Sequence, residues 1–120
     1  MSAAKKAMST VLAMAALSAS SSISAAAWCQ GYVNQVLTYD NGDMGIWTTW
    51  RSGWTTICNL KTERDGIPPE ICFAWFSTAT TSITENKQLI IYYRTIDQAE
   101  CATMPLSAAA PAPAYLRLIK

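Results

Sequence analysis

Apolar residues follow three different patterns along this chain. The first is a crowded run from Ala7 through Leu17, with Met8, Val11, Leu12 and Met14. Lys5 and Lys6 precede it, and the mostly small residues 18–24 and the triplet Ala25-Ala26-Ala27 follow. A short positive start, an apolar stretch and a small-residue end make an export signal. Ala25 and Ala27 suit the two small-residue positions of a signal peptidase, which places the cut before Trp28. The run is too short, and too rich in Ala and Ser, for a spanning helix of about 20 apolar residues. No stable membrane span is expected after cleavage. The mature chain would open on Trp28 rather than on Cys29, so the cysteine is not where a lipoprotein carries its lipid.

The second pattern has a period of two and marks strands. Val33–Tyr39 is the first, rich in β-branched and aromatic residues. Asp40-Asn41-Gly42-Asp43 then supplies an Asn-Gly hairpin turn, because both central positions tolerate positive φ. Met44–Arg51 is the second strand. It places Ile46, Thr48 and Trp50 on one face and Trp47, Thr49 and Arg51 on the other. Trp47 and Trp50 therefore do not share one core. After Ser52-Gly53, Trp54–Leu60 is the third strand; residues 28–32 read only as a lead-in.

The third pattern is helical. Lys61–Pro69 is a polar loop with Gly66, Pro68 and Pro69. Pro69 suits a first helical turn, where its missing N–H costs nothing, and Glu70 complements the helix dipole. Ile71, Trp75, Ala79 and Ile83 then recur every four residues, with Cys72 and Phe76 beside them. Thr78–Thr84 is rich in poor helix formers, so packing has to hold this helix, and fraying is expected near Glu85-Asn86-Lys87. Gln88–Arg94 is a fourth, buried strand, whose Tyr92 and Tyr93 point to opposite faces. A loop carrying Cys101 and an Ala/Pro stretch over residues 107–114 lead to a last strand over Tyr115–Ile119.

The resulting order is β-β-β-α-β-β, a mainly β domain with one helix (α+β). It is the order of an OB-like five-stranded barrel with the helix plugging one end. An open α+β sheet with a packed helix is the alternative. The Val-rich first strand and its Asn-Gly hairpin, followed by three further sets of residues, are similar to small exported bacterial proteins of uncharacterised function. The three sets are Ile57-Cys58-Asn59, the helix start Pro69-Glu70-Ile71-Cys72-Phe73-Ala74-Trp75, and the Lys-x-Leu-Ile-Ile-Tyr-Tyr strand (residues 87–93). The element order also resembles that of the OB-fold B subunits of pentameric AB5 toxins. That resemblance implies glycan binding, but carries no site motif onto these residues.

Composition narrows the function. Removing 27 of the 120 residues leaves 93, enough for one small domain. The full chain has nine Lys/Arg against eight Asp/Glu; losing Lys5 and Lys6 leaves seven against eight. This balance gives no basic stripe for nucleic acid and no polybasic membrane patch. Four cysteines (Cys29, Cys58, Cys72, Cys101) follow the expected cut, where thiols oxidise. Their spacings of 29, 14 and 29 residues contain no Cys-x-x-Cys, and the chain has no His. Two structural disulfides are expected, with no metal and no cofactor. Four cysteines allow three pairings. Cys29–Cys72 with Cys58–Cys101 is preferred, because Cys58 lies near the end of the third strand and Cys101 follows the fourth, so that they could meet across one barrel end; the other two pairings stay open.

Without His there is no Ser-His-Asp or Cys-His catalysis. Carboxylates could serve a glycosidase, and Asp40 with Asp43, Glu63 with Asp65, and Asp97 with Glu100 are near neighbours in sequence. Acids in turns are more often capping residues, and the chain is read as a non-enzyme. The remaining surplus is aromatic. Trp47, Trp50 and Trp54, with Arg51 among them, form the candidate binding cluster, since rings beside polar groups suit sugar stacking or protein hot spots. Trp75 reads as core. The expectation is an exported binding domain for a glycan or a protein, able to form homo-oligomers. The alternatives are a structural or accessory subunit of a secreted or envelope assembly, and a carboxylate-based hydrolase.

Overall fold

The structure, a computed structural model, describes residues 25–120. The predicted export signal therefore lies outside the described residues except for Ala25–Ala27. Six strands, one α-helix and one 3₁₀ turn follow in order: β1 (Ala27–Gly31), β2 (Val33–Thr38), β3 (Asp43–Thr48), β4 (Trp54–Asn59), α1 (Pro69–Thr84), β5 (Leu89–Tyr93), the 3₁₀ turn (Gln98–Ala102) and β6 (Tyr115–Leu118).

The strands form two separate antiparallel sheets, ordered β1-β5-β6 and β2-β3-β4. This corrects the expected five-stranded OB-like barrel and its order. The unforeseen strand is β1, read above as a lead-in. Its alternation buries Ala27, Cys29 and Gly31 and turns Trp28 and Gln30 outward. One residue, Tyr32, separates β1 from β2, yet β1 pairs with β5 and β2 with β3. The chain thus changes sheets at this bend. On the far side of the second sheet, Ser107 takes the place beside β4 that a closing strand would need. Its N–H donates to the Trp54 carbonyl at 2.6 Å and its carbonyl accepts from Thr56 N at 3.2 Å. With one edge covered by a loop and the other left as β2, the sheet does not close.

The hairpin between β2 and β3 forms at the expected Asn-Gly. Gly42 sits at φ +96°, and a Cβ there would come within 2.5 Å of the Asn59 carboxamide oxygen. Asn59 is the reason for the crowding. Its Nδ2 donates to Asn41 O and Asp43 Oδ1, while its Oδ1 accepts from Lys61 N and Thr62 N. One buried amide thereby fixes the hairpin tip and the start of the following loop.

Met44, Ile46 and Ile57 of the second sheet face Cys29, Leu89, Ile91 and Tyr93 of the first within one core. The helix adds Cys72 and Ala79, and packs against β2, β3, β4 and β6. It flanks the core along both sheets and plugs no barrel end. Its buried stripe is Cys72, Ala79 and Ser82, with Trp75 and Phe76 half-buried. Ile71 and Ile83, expected on that stripe, are 42% and 40% exposed. Residues four apart drift by about 40° per step around a helix of 3.6 residues per turn, so a strict four-residue repeat spirals off the buried face. The helix also ends cleanly. Asn86, at φ 51°, follows the last turn, with Lys87 N bonded to Ser82 O and Asn86 N to Ile83 O. This is a Schellman motif, which replaces the expected fraying.

Both disulfides form, with Cys29–Cys101 and Cys58–Cys72 as partners. The preferred pairing is thus corrected. Cys58 on β4 meets the helix start directly across the core. Cys29 meets the 3₁₀ turn because β1 is the sheet's edge strand beside that turn. A Cys29–Cys72 bond required the N-terminal lead-in to be free to cross to the helix, and strand β1 holds it elsewhere. No helix among the described residues is long and apolar enough to cross a membrane.

Candidate functional site

Trp47 and Trp54 lie on strands, whereas Trp50 and Arg51 fall in the connection between β3 and β4. Trp47 and Trp54 pair across β3 and β4 on the outer face of the second sheet. Their rings meet edge to face at 5.7 Å. Trp50 lies past the end of β3 and packs, half-buried, against the core. Arg51 is engaged with backbone carbonyls. Its Nε donates to Met104 O at 2.9 Å and its Nη1 to Ser52 O at 3.2 Å, which ties the β3–β4 turn to the segment after the 3₁₀ turn. The structure therefore brings together Trp47 and Trp54, and leaves Trp50 and Arg51 with packing roles.

Trp54 opens onto a groove of about 180 Å³, which also takes in Tyr39, Asn41, Asp43, Gly45, Thr56, Ser107 and Ala108. Each arrives for a local reason. Tyr39 precedes the hairpin turn and is 51% exposed. Gly45 has no side chain, so the floor between Tyr39 and Trp54 stays open. Asp43 starts β3, its backbone N–H bonded to Asn41 Oδ1 at 3.0 Å and its Oδ1 accepting from Asn59 at 2.9 Å. The second oxygen, Oδ2, accepts only a 3.4 Å contact from Asn41. Ser107 adopts φ 55°, an unusual backbone for a residue with a side chain, and this carries the loop to the groove rim.

The groove's polar inventory is largely uncommitted. The side-chain hydroxyls of Tyr39, Thr56 and Ser107 bond to no other described residue. A carboxylate oxygen, the Asn41 amide and three hydroxyls thus line the groove together with Trp54. The volume is below the roughly 300 Å³ of drug-sized pockets, so it suits a single ring or one protruding side chain. The carboxylates considered for catalysis are dispersed. Asp97 and Glu100 form a capping box on the 3₁₀ turn, and Asp65 lies 3.9 Å from Arg64. Among the described residues no group of three or more His, Cys, Asp or Glu could hold a metal ion.

A second aromatic surface was not foreseen. On the outer face of the first sheet, Trp28, Tyr92 and Tyr115 lie side by side across β1, β5 and β6. Trp28 stacks on Tyr92 at 4.9 Å, and Tyr92 meets Tyr115 at 5.2 Å. Trp28 Nε1 donates to the Tyr115 hydroxyl at 3.1 Å. Gln30, bonded through its Nε2 to Gln88 Oε1, and Arg117 continue the face. The sequence signal was the alternation of Trp28 with Cys29 and of Tyr92 with Tyr93. That signal depends on residues 27–31 forming a strand.

Comparison of the chain with protein-family models, with curated proteins and with solved structures finds no match.

Proposed function

We propose that this chain is an exported, non-catalytic binding domain whose groove at Trp54 holds one sugar ring of a glycan. The observation that supports this is the groove's composition. It joins an aromatic ring to hydroxyls without partners among the described residues and to a carboxylate oxygen held by one long contact. A pyranose presents an apolar C–H face for stacking and hydroxyls that both donate and accept. The ring of Trp54, braced by Trp47, complements the first. Asp43 Oδ2, Asn41, Thr56 and Ser107 complement the second.

Export into an oxidising compartment fits two disulfides with no free cysteine among the described residues. The charge balance offers nucleic acid no footprint. Titrating the protein with a panel of mono- and oligosaccharides while following Trp fluorescence tests the reading. A saturable change with at least one sugar is expected. Trp54→Ala should weaken it at least tenfold. Asp43→Asn, which keeps an acceptor for Asn59, should also weaken it. Saturation unaltered in both variants would place the sugar elsewhere.

The alternative is an accessory subunit that associates through a face. The Trp28–Tyr92–Tyr115 surface, in which Trp28 is exposed and the two tyrosines half-buried, favours it, together with Phe73 on the helix, 58% exposed. Its mark is a particle size that grows with protein concentration and reverts in Trp28→Ser.

A further inference from the structure

Three cutting registers put an alanine immediately before the cut of a signal peptidase. They place Ile23 and Ala25, Ser24 and Ala26, or Ala25 and Ala27 at the two small-residue positions. The pattern of small residues alone does not separate the last two. Ala27 does. It is 0% exposed, the first residue of β1, and lies opposite the fully buried Tyr93 in the ladder with β5. It belongs to the same core cluster as Cys29 and Ile91. Ala25 and Ala26 are only half-buried and belong to no strand.

A cut before Trp28 would delete a core residue and end the sheet one pair early. It would also convert the Trp28 amide into a charged amino terminus. That amide donates to Gln98 Oε1 at 2.8 Å, while Gln98 Nε2 donates back to the Trp28 carbonyl at 2.8 Å. The Gln98 side chain thus grips the free edge of β1 as a neighbouring strand would, beside the Cys29–Cys101 bond. A terminus at Ala27 leaves the clamp and the core position whole and puts the new charge at the tip of the strand. Of the two registers that keep Ala27, the one with Ser24 and Ala26 has small side chains at both positions; the other needs Ile23 in one of them.

We infer that the leader is removed at the Ala26–Ala27 bond, so that Ala27 is the first residue of the mature protein. The inference rests on the export reading and fixes its register. The peptide bond is hydrolysed by water, leaving the Ala26 carboxylate on the leader and an amine on Ala27.

The test expresses the full 120-residue chain in an export-competent bacterium and reads the N-terminal peptide of the product by mass spectrometry. Ala27 as the first residue is expected. Ala26→Leu places a bulky side chain next to the cut and should abolish cleavage at this bond. Ala27→Leu lies on the far side of the cut and should still be processed, with the introduced leucine as the first residue. A start at Trp28, or blockage by Ala27→Leu and not by Ala26→Leu, overturns the assignment. So does a start at Ala26. A chain that keeps its leader and stays in the cytosol overturns the export reading itself; its intact N-terminus distinguishes that result from a shifted cut.

Discussion

Arg64 and Tyr93 show how single side chains hold this small domain. The Arg64 guanidinium reaches out of the polar loop after β4. Its Nη2 donates to Ala110 O at 2.8 Å and to Ala108 O at 3.2 Å, and its Nη1 contacts Ile57 O at 3.4 Å. It thereby fastens the Ala/Pro segment to β4. Replacing Arg64 with Met keeps the aliphatic stem but leaves these carbonyls without their donor, at a cost of about 1–3 kcal/mol. Chemical denaturation should show a lower midpoint with an unchanged slope. Tyr93 is buried on the core face of β5, and desolvation pushes its phenol well above the ordinary value, against the smaller opposing pull of Arg64. A raised folded pKa means the unfolded chain ionises first, near pH 10. The contribution is therefore complete below about pH 10 and is lost as pH rises beyond it. Melting temperature should fall above that pH, and Tyr93→Phe should flatten the fall.

At the scale of elements, the two disulfides differ in what they constrain. Cys29–Cys101 spans 72 residues and fastens edge strand β1 to the 3₁₀ turn. Cys58–Cys72 spans 14 residues and joins β4 to the start of α1. In the chain-entropy picture a longer loop gives roughly 4–5 kcal/mol and a short one about 3 kcal/mol. The Cys29→Ser/Cys101→Ser pair of substitutions should lower the melting temperature more than Cys58→Ser/Cys72→Ser. Peptide mapping under non-reducing conditions should recover the observed pairs and neither alternative. The helix depends on similar ties. Its Thr78 and Thr81 hydroxyls donate back to Ala74 O and Ser77 O, an arrangement that gives the isolated helix little. Its end relies on Asn86 at positive φ. Asn86→Gly should be close to neutral there, while Asn86→Val should destabilise measurably, because a β-branched side chain resists that backbone.

Considered whole, the molecule brings the two ends of the described chain into one sheet. β1 and β6 flank β5, so the apolar run Leu89–Tyr93 is completed only after both have arrived. Ending the chain at Ala114 would bare one edge of β5 and remove Leu116 from the core margin. Such a chain should melt far lower, or aggregate through the bared strand. The second sheet holds the Trp54 groove and owes little to β6. Its hairpin is local, and its far edge is sealed by Ser107. The proposed binding groove and the sheet that β6 completes are thereby separated in space: Trp54→Ala should impair the proposed sugar binding with only a modest change in melting, whereas β6 truncation should act first on melting.

Much of this was legible in the residues. The Asn-Gly hairpin, the third strand, the proline-started helix and the buried strand at Leu89–Tyr93 all follow from short-range rules: turn chemistry, period and the cost of an unmade helix bond. So does the opposition of Tyr92 to Tyr93, because alternation is a property of one strand; the second strand stops at Thr48, short of its expected end at Arg51, so alternation does not reach Trp50. What the tertiary structure decided was partnership. Which sheet a strand joins, which cysteine meets which, and whether a sheet closes depend on contacts between distant segments. A local pattern carries no term for those contacts. Residues 27–31 illustrate the boundary. Their alternation was in the sequence from the start, but only pairing with β5, far along the chain, makes them a strand and Ala27 a core residue.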